Sequence, residues 1–209
     1  GASITIGSQF LPGYVKRFRA LHPGAEIQAT VAPSKLLEQK LMDNLLDLAL
    51  MEGVPHVPAL RSEEYMEDHL VVITPADGPF RPGQHLSQTE FRQQKFLLRE
   101  RGSGTREEFE RVTEQAGFTV SPTWEATSTT ALVNAVISGL GIAVLPYRMV
   151  SPLERGLVSA VTVEGLEFHR KFRIVYHRDK FLTAQARDFI ALCRNFEETA
   201  SQHQHPGLC

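Results

Sequence analysis

The sequence predicts an α/β protein built as two similar units. Two observations carry this. Strand-like and helix-like patterns alternate along all 209 residues. A turn-rich stretch, residues 75–83 with three prolines and two glycines, interrupts the alternation, which then begins again. The length suits two lobes of about 100 residues each. Hydrophobic residues at 42% and charged residues at 22% are ordinary for a globular chain.

The first unit opens with a β-rich run at residues 3–7, read as a strand. Residues 10–22 place Phe10, Leu11, Tyr14, Val15, Phe18 and Leu21 at helical spacing, with Pro12 in the first turn and Pro23-Gly24 as the stop. Residues 26–31 read as the second strand. A helix runs from Pro33-Ser34 to about residue 44, with Leu37, Leu41 and Leu45 on one face and Ser34 as its N-cap. Residues 47–51 form a continuous apolar run, the pattern of a strand covered on both faces. This order implies right-handed crossovers and a mainly parallel sheet. A further apolar strand spans residues 69–74.

In the second unit, residues 95–99 read as a strand and 105–116 as a helix closed by Gly117. Residues 123–127 are a strand, 128–138 a helix ended by Gly139, and 141–145 a strand. A short helix follows at 146–153. Residues 158–163 and 168–177 are strands joined through a tight turn at Glu164-Gly165. An amphipathic helix at 183–198 turns Phe189, Ile190, Cys193 and Phe196 inward, and the polar tail from Ser201 reads as frayed.

The formal net charge is −2, from 22 basic and 24 acidic residues. A domain that grips DNA by itself ordinarily carries a basic surplus, so this stretch alone is not expected to bind nucleic acid. Neither Cys193 nor Cys209 sits in a metal or redox spacing, which fits a reducing cytoplasm without a structural disulfide. No apolar run reaches the roughly 20 residues of a membrane span.

Small hydroxyl residues recur where a strand hands over to a helix. They are Ser8 and Gln9, then Ser34, then Ser103 and Thr105 within Arg101-Gly-Ser-Gly-Thr-Arg106, and Thr127, Ser128, Thr129 and Thr130. In an open parallel sheet these positions fall at the carboxyl ends of strands, where ligands bind. Helix starts present free N–H groups and about half a positive charge, which suits an anion without any metal. Each hydroxyl alone is explained as an N-cap worth about 1 kcal/mol. Two glycines around Ser103 are more backbone freedom than a cap requires, so the set reads as a binding site.

No catalytic set, metal cluster or cofactor motif stands out. Gly102-Ser-Gly-Thr-Arg is neither a phosphate-binding P-loop nor a nucleophile elbow. Gly139-Leu-Gly-Ile-Ala leads into a strand, the reverse of a dinucleotide fingerprint. His22, His56 and His85 sit beside prolines, helix ends or loops. Glu52 and Glu100 each follow a buried strand; Glu52 is expected to restrain a loop. Arg99, Arg101 and Arg106 read equally well as partners for a carboxylate or sulfonate and as surface charges.

The opening Gly1-Ala-Ser-Ile-Thr-Ile-Gly with Phe10-Leu-Pro and His22-Pro23 resembles the start of the effector-binding domain of LysR-type transcriptional regulators. So do Asp47-Leu-Ala-Leu-Met-Glu-Gly53, Leu98-Arg-Glu-Arg-Gly-Ser-Gly-Thr-Arg106 and Ser138-Gly-Leu-Gly-Ile-Ala-Val-Leu-Pro146, in family order and spacing. The resemblance implies a type II periplasmic-binding-protein-like fold: two Rossmann-like lobes joined by two crossovers, residues 1–77 plus 175–209 as lobe I and 78–174 as lobe II. It implies an effector cleft between the lobes, contacted by Ser8, Gln9, Phe10, Pro33 and Ser34 on one side. The other side would supply Gly102, Ser103, Gly104, Thr105, Thr127, Ser128 and Thr129. It also implies a homodimer pairing through residues 10–22 and 26–31, a tetramer in the full-length protein, and DNA binding through an N-terminal winged helix-turn-helix that this sequence lacks. Family members often carry an Asn-Tyr-type pair near the Ser8–Gln9 turn and an Asn near Ser34; this chain does not, so its effector cannot be copied from a relative.

The expected function is therefore a cytoplasmic effector sensor for a carboxylate or a sulfur or phosphorus oxyanion, with no cofactor and no chemistry of its own. A solute receptor of a transport system with the same fold is the alternative, and would show a secretion signal upstream of Gly1.

Overall fold

A computed structural model describes residues 1–150 and 156–201, with side chains through residue 196. Its elements are α1 (Ile4–Gln9), α2 (Leu11–Leu21), α3 (Ser34–Met42), β1 (Ala49–Glu52), β2 (Leu60–Pro75), β3 (His85–Leu86), α4 (Gln88–Arg92) and β4 (Leu97–Arg99). There follow α5 (Gly104–Gln115), β5 (Trp124–Ala126), α6 (Thr129–Ile137), β6 (Ala143–Pro146), α7 (Tyr147–Val150), β7 (Val158–Val163), β8 (His169–His177) and α8 (Ala184–Ser201). The end of the helix expected at 146–153, Cys209 and the tail beyond residue 201 lie outside the described residues.

The chain divides into two compact units, Gly1–Met66 with Lys171–Cys209, and Glu67–Arg170. It passes between them within β2 and again within β8. The sequence-based divisions, after residues 77 and 174, stand further along the chain, and the proline-rich stretch at 75–83 lies wholly inside the second unit. That stretch is a connection between β2 and β3: Gly83 N–H bonds to the Ala160 carbonyl at 2.8 Å, tying it to β7.

In unit 1, the run at residues 3–7 is not a strand. Ala2 alone keeps strand pairing, bridging in parallel to both Val31 and Leu50, and the chain turns into α1 at Ile4. Ser-Ile-Thr-Ile favours β locally, but helical geometry buries Thr5 and Ile6 completely, and burial overrides propensity. Residues 26–31 likewise form no strand beyond the single bridge at Val31. β1, buried at every position, pairs antiparallel with β8 from Ala49↔Val175 to Glu52↔Phe172. Helices α2 and α8 lie against each other through edge-on rings, Phe18 on Phe189 at 5.3 Å and Tyr14 on Phe196 at 4.7 Å. The inward set Phe189, Ile190, Cys193 and Phe196 packs on Ile6, Tyr14 and Phe172 as the periodicity predicts.

In unit 2, β2 pairs antiparallel with β6 and with β7, while β4 and β5 pair in parallel. Counted by ladder length, the named pairings in both units are mostly antiparallel, contrary to the expectation of a mainly parallel sheet. The reason is that the longest ladders are those of β2 and β8, the two strands that pass between the units, and each of them runs antiparallel to its partner. A ring cluster of Phe91, Phe96, Phe109 and Phe168 fills the core, with Phe109 stacked on Phe168 at 6.2 Å. One close approach is enforced by glycine: a Cβ on Gly141 would stand 2.3 Å from the Lys95 carbonyl oxygen, where the parallel bridge Phe96↔Ile142 draws the two segments together.

Gly141→Ala is therefore expected to lower the unfolding free energy by about 1–3 kcal/mol, the cost of overpacking a tight contact. Urea denaturation checks it; an unchanged midpoint would mean the two segments separate freely.

Candidate effector-binding edges

Each unit places polar residues just beyond parallel-paired positions, the isolated bridges of Ala2 to Val31 and Leu50 in unit 1 and the β4–β5 pair in unit 2. In unit 1 these are Ser3 after Ala2, Pro33-Ser34 after Val31, and Glu52 at the end of β1. Ser3, Thr5, Ser34 and Glu52 are all buried. Pro33 (φ −56°, ψ 148°) occupies the N-cap position of α3, so Ser34 is the first helical residue and not the cap that was expected. Its hydroxyl donates to Glu52 Oε2 at 3.4 Å. Glu52 thus restrains the start of α3 through a side chain. It also places a carboxylate beside the positive end of that helix.

Two of the expected residues are elsewhere. Ser8 and Gln9 sit in the last turn of α1, exposed, and the Ser8 hydroxyl donates back to the Ile4 carbonyl at 2.7 Å. A strand at residues 3–7 would place them before a helix; α1 over Ile4–Gln9 places them at a helix end instead. Phe10 joins the core, 6.1 Å from Tyr14 and 5.8 Å edge-on from Phe172. The residues that do occupy the strand-to-helix junction are Ser3 and Thr5. Ser3 holds the N-cap backbone geometry (φ −63°, ψ 165°), and its buried hydroxyl has no partner among the described residues. A Ser-x-Thr pair right after the first strand position was the available signal.

In unit 2, the register Arg99↔Ala126 sets the ends of β4 and β5 side by side. The structure therefore brings together Gly102, Ser103, Gly104 and Thr105 at the start of α5 with Thr127, Ser128 and Thr129 at the start of α6. Gly102 has φ +86°, a left-handed conformation that turns the chain into α5. Ser103 takes the N-cap position yet makes no side-chain cap bond, and it is 4% exposed. Ser128, exposed, is a true cap: its oxygen accepts from Ala131 N–H at 3.3 Å. The capping explanation thus accounts for Ser128 and fails for Ser103.

Arginines surround these starts. Arg99 is 2% exposed. Its Nε and Nη2 donate to both Glu100 oxygens, at 2.8 and 3.0 Å, and its Nη1 donates to Thr129 Oγ1 at 3.4 Å. Arg106, also buried, donates to Glu110 at 2.6 Å and to the Arg99 carbonyl at 3.4 Å. Neither is a surface charge; Arg101 is. Arg170 reaches Thr105 Oγ1 at 3.0 Å.

Among the described residues, no group of three or more His, Cys, Asp or Glu could hold a metal ion, and no helix is long and apolar enough to cross a membrane.

The LysR substrate-binding domain model matches residues 1–197, and the chain belongs to that family. It is 33% identical over 202 residues to the RuBisCO operon transcriptional regulator of Allochromatium vinosum, covering 95% of this chain and 65% of that protein. It is 32% identical over 195 residues to the HTH-type transcriptional regulator YeiE of Escherichia coli K12, covering 92% and 66%. The chain thus spans about two thirds of these curated relatives. Among solved structures, the regulatory domain of CcmR from Synechocystis PCC6803, in complex with 2-PG, superposes with a TM-score of 0.83 at 24% identity, covering 99% of this chain and 97% of that one. The effector-binding domain of QuiR in complex with shikimate gives 0.83 at 16% identity, covering 95% of each. The fold is the type II periplasmic-binding-protein-like one, two Rossmann-like lobes joined by two crossovers.

Burial pushes the Cys193 thiol up to about 12. It also pushes Tyr65 well above its ordinary 10, helped by nearby Tyr14, Cys193 and Glu52. Both groups bind protons more tightly folded than unfolded. Their contribution to stability is complete below about pH 9, the ordinary value of a free thiol, and is lost as pH rises from there toward 12. Urea midpoints should be level from pH 7 to 9 and fall above it, with a shallower fall for Cys193→Ala; equal slopes for the two proteins would contradict this.

Proposed function

We propose that this chain is the effector-sensing part of a LysR-type transcriptional regulator. In this reading it binds one small anionic molecule, a carboxylate or a phosphorus or sulfur oxyanion, and carries out no chemistry on it. The observation that carries the reading is the parallel pairing of β4 and β5, which sets side by side the strand ends before α5 and α6, with a nearly buried, uncapping Ser103 between glycines. The regulators among the relatives, and the effector complexes among the structural neighbours, favour regulation over solute transport. The family resemblance adds Ser8, Gln9, Phe10, Pro33 and Ser34 as effector contacts; of these, Pro33 and Ser34 stand at the start of α3.

The protein in this reading is cytoplasmic and controls DNA binding through a winged helix-turn-helix outside this sequence. It pairs with a second copy through α2 and residues 26–31. Support for that pairing comes from exposed Leu21 and Val31, and from a cavity of about 400 Å³ in unit 1 lined by residues 25–30, Leu11, Phe18 and Phe189. Effector binding can bias such an assembly only through a difference in affinity between two conformations.

Isothermal calorimetry with small carboxylates, phosphate esters and sulfur oxyanions should find one site per chain. Ser103→Ala combined with Ser128→Ala should weaken binding roughly 10- to 100-fold, the scale of losing hydrogen bonds to a charged ligand. Undiminished affinity in the double variant would sink the assignment of this edge.

A further inference from the structure

We propose that Arg170 is a positioning residue that fixes the Thr105 hydroxyl as a hydrogen-bond donor at the start of α5, so that this point of the site accepts only a ligand atom with a free lone pair. The inference rests on the effector reading of that edge. It begins with how Arg170 is held. Its guanidinium is 2% exposed in the side chain, and Asp68, whose side chain is 0% exposed, takes Nε at 2.8 Å and Nη2 at 2.7 Å through the single oxygen Oδ2. The remaining arm, Nη1, points to Thr105 Oγ1 at 3.0 Å.

A guanidinium can only donate. Thr105 Oγ1 is therefore the acceptor in this contact, and one of its lone pairs is engaged. The hydroxyl proton is then left for another partner. Thr105 is 2% exposed, and among the described residues its hydroxyl donates to nothing. A buried hydroxyl proton left without an acceptor is unfavourable, which makes it a position prepared for an incoming acceptor. Ser103, two residues earlier, is 4% exposed and its side chain has no hydrogen bond among the described residues. Two hydroxyl residues, each under 5% exposed, thus stand at one helix start.

Charge does not explain Arg170. Asp68 neutralises it at contact distance, and Arg148 approaches the other Asp68 oxygen, Oδ1, at 3.9 Å. What Arg170 contributes to the turn is direction. The selectivity expected follows: an oxyanion, or a carbonyl or ether oxygen, is accepted against Thr105, while an ammonium or amide N–H presented there would leave donor facing donor.

The test uses the chain with Arg170→Lys, Thr105→Val, Thr105→Ser and the double variant Arg170→Lys with Thr105→Val. A lysine keeps the charge but cannot serve Asp68 and Thr105 with fixed arms. Amide hydrogen exchange in the ligand-free protein reads the turn directly. Exchange at the Glu107 amide, which bonds to the Ser103 carbonyl at 3.0 Å, should speed up at least fivefold in Arg170→Lys and in Thr105→Val. It should return to the parent rate in Thr105→Ser and rise no further in the double variant, while amides of β7 stay unchanged. Additive effects in the double variant, or acceleration spread equally through unit 2, would overturn the proposal. In a second arm, calorimetry with shikimate, inorganic phosphate and 2-PG should show at least tenfold weaker binding in Thr105→Val for any probe the parent binds; unweakened binding also overturns it. If the parent binds none of the three while the exchange pattern holds, the effector reading fails and the positioning of Thr105 stands.

Discussion

A buried guanidinium must be paired where it stands, because moving an ion out of water costs several kcal/mol that only close partners return. Three arginines of unit 2 meet this demand in three ways. Arg99 uses the carboxylate of the next residue, Arg106 one a helical turn ahead, and Arg170 a carboxylate on a neighbouring strand. Each then has an arm left over, and each spare arm reaches the edge where α5 and α6 begin: Thr129, the Arg99 carbonyl and Thr105. The order of this edge follows from satisfying the arginines. Losing one carboxylate would strand a charge and loosen a helix start at once.

The two units share a plan and differ in electrostatics. Both set hydroxyl residues beyond parallel strand ends, before a helix. In unit 1 the buried charge beside the helix start is acidic, Glu52 against Ser34, so the partial positive charge of α3 already faces a resident carboxylate. In unit 2 the buried charges touching the helix starts are cationic and point donors inward. An anion is therefore served better by the α5 and α6 starts, and unit 1 is suited to offering acceptors and uncharged hydroxyls.

Much of this was legible in the sequence, for identifiable reasons. The strand at 158–163 and the helices closed by Gly117 and Gly139 stand as read, because alternation and a left-handed glycine are local signals; both glycines have positive φ. The start of the chain is not legible in this way, because Ile-Thr-Ile is β-favouring by itself while its helix buries Ile6 among Tyr14 and Phe172, residues distant in sequence or on the next helix. The first half of β2 escaped because Arg61-Ser-Glu-Glu is polar, and its pairing is long-range. The short helix α4 carried the capping-box pattern Ser87-x-x-Glu90, and both reciprocal bonds form, at 3.2 and 2.8 Å; five residues leave too little periodicity to notice. Of the site, the Gly-Ser-Gly-Thr turn could be read because glycines report backbone demands. Arg170 could not, since its partners Asp68 and Thr105 lie 102 and 65 positions away.

A sensing site has a physical reason to use neutral donors. A sensor must release its ligand as concentration falls, so its affinity has to be moderate and its empty state tolerable. Free buried cations would bind an oxyanion strongly but would be costly when empty. Where α5 and α6 begin, the cations are already neutralised by Glu100, Glu110 and Asp68, and the remaining arms of Arg99 and Arg170 orient the Thr129 and Thr105 hydroxyls. A ligand entering would displace no salt bridge, and one leaving would strand no charge. The unspent protons of Ser103 and Thr105 cost far less to leave waiting than a bare guanidinium would. An arrangement of that kind keeps the empty and occupied states close enough in free energy for modest changes in effector concentration to decide between them.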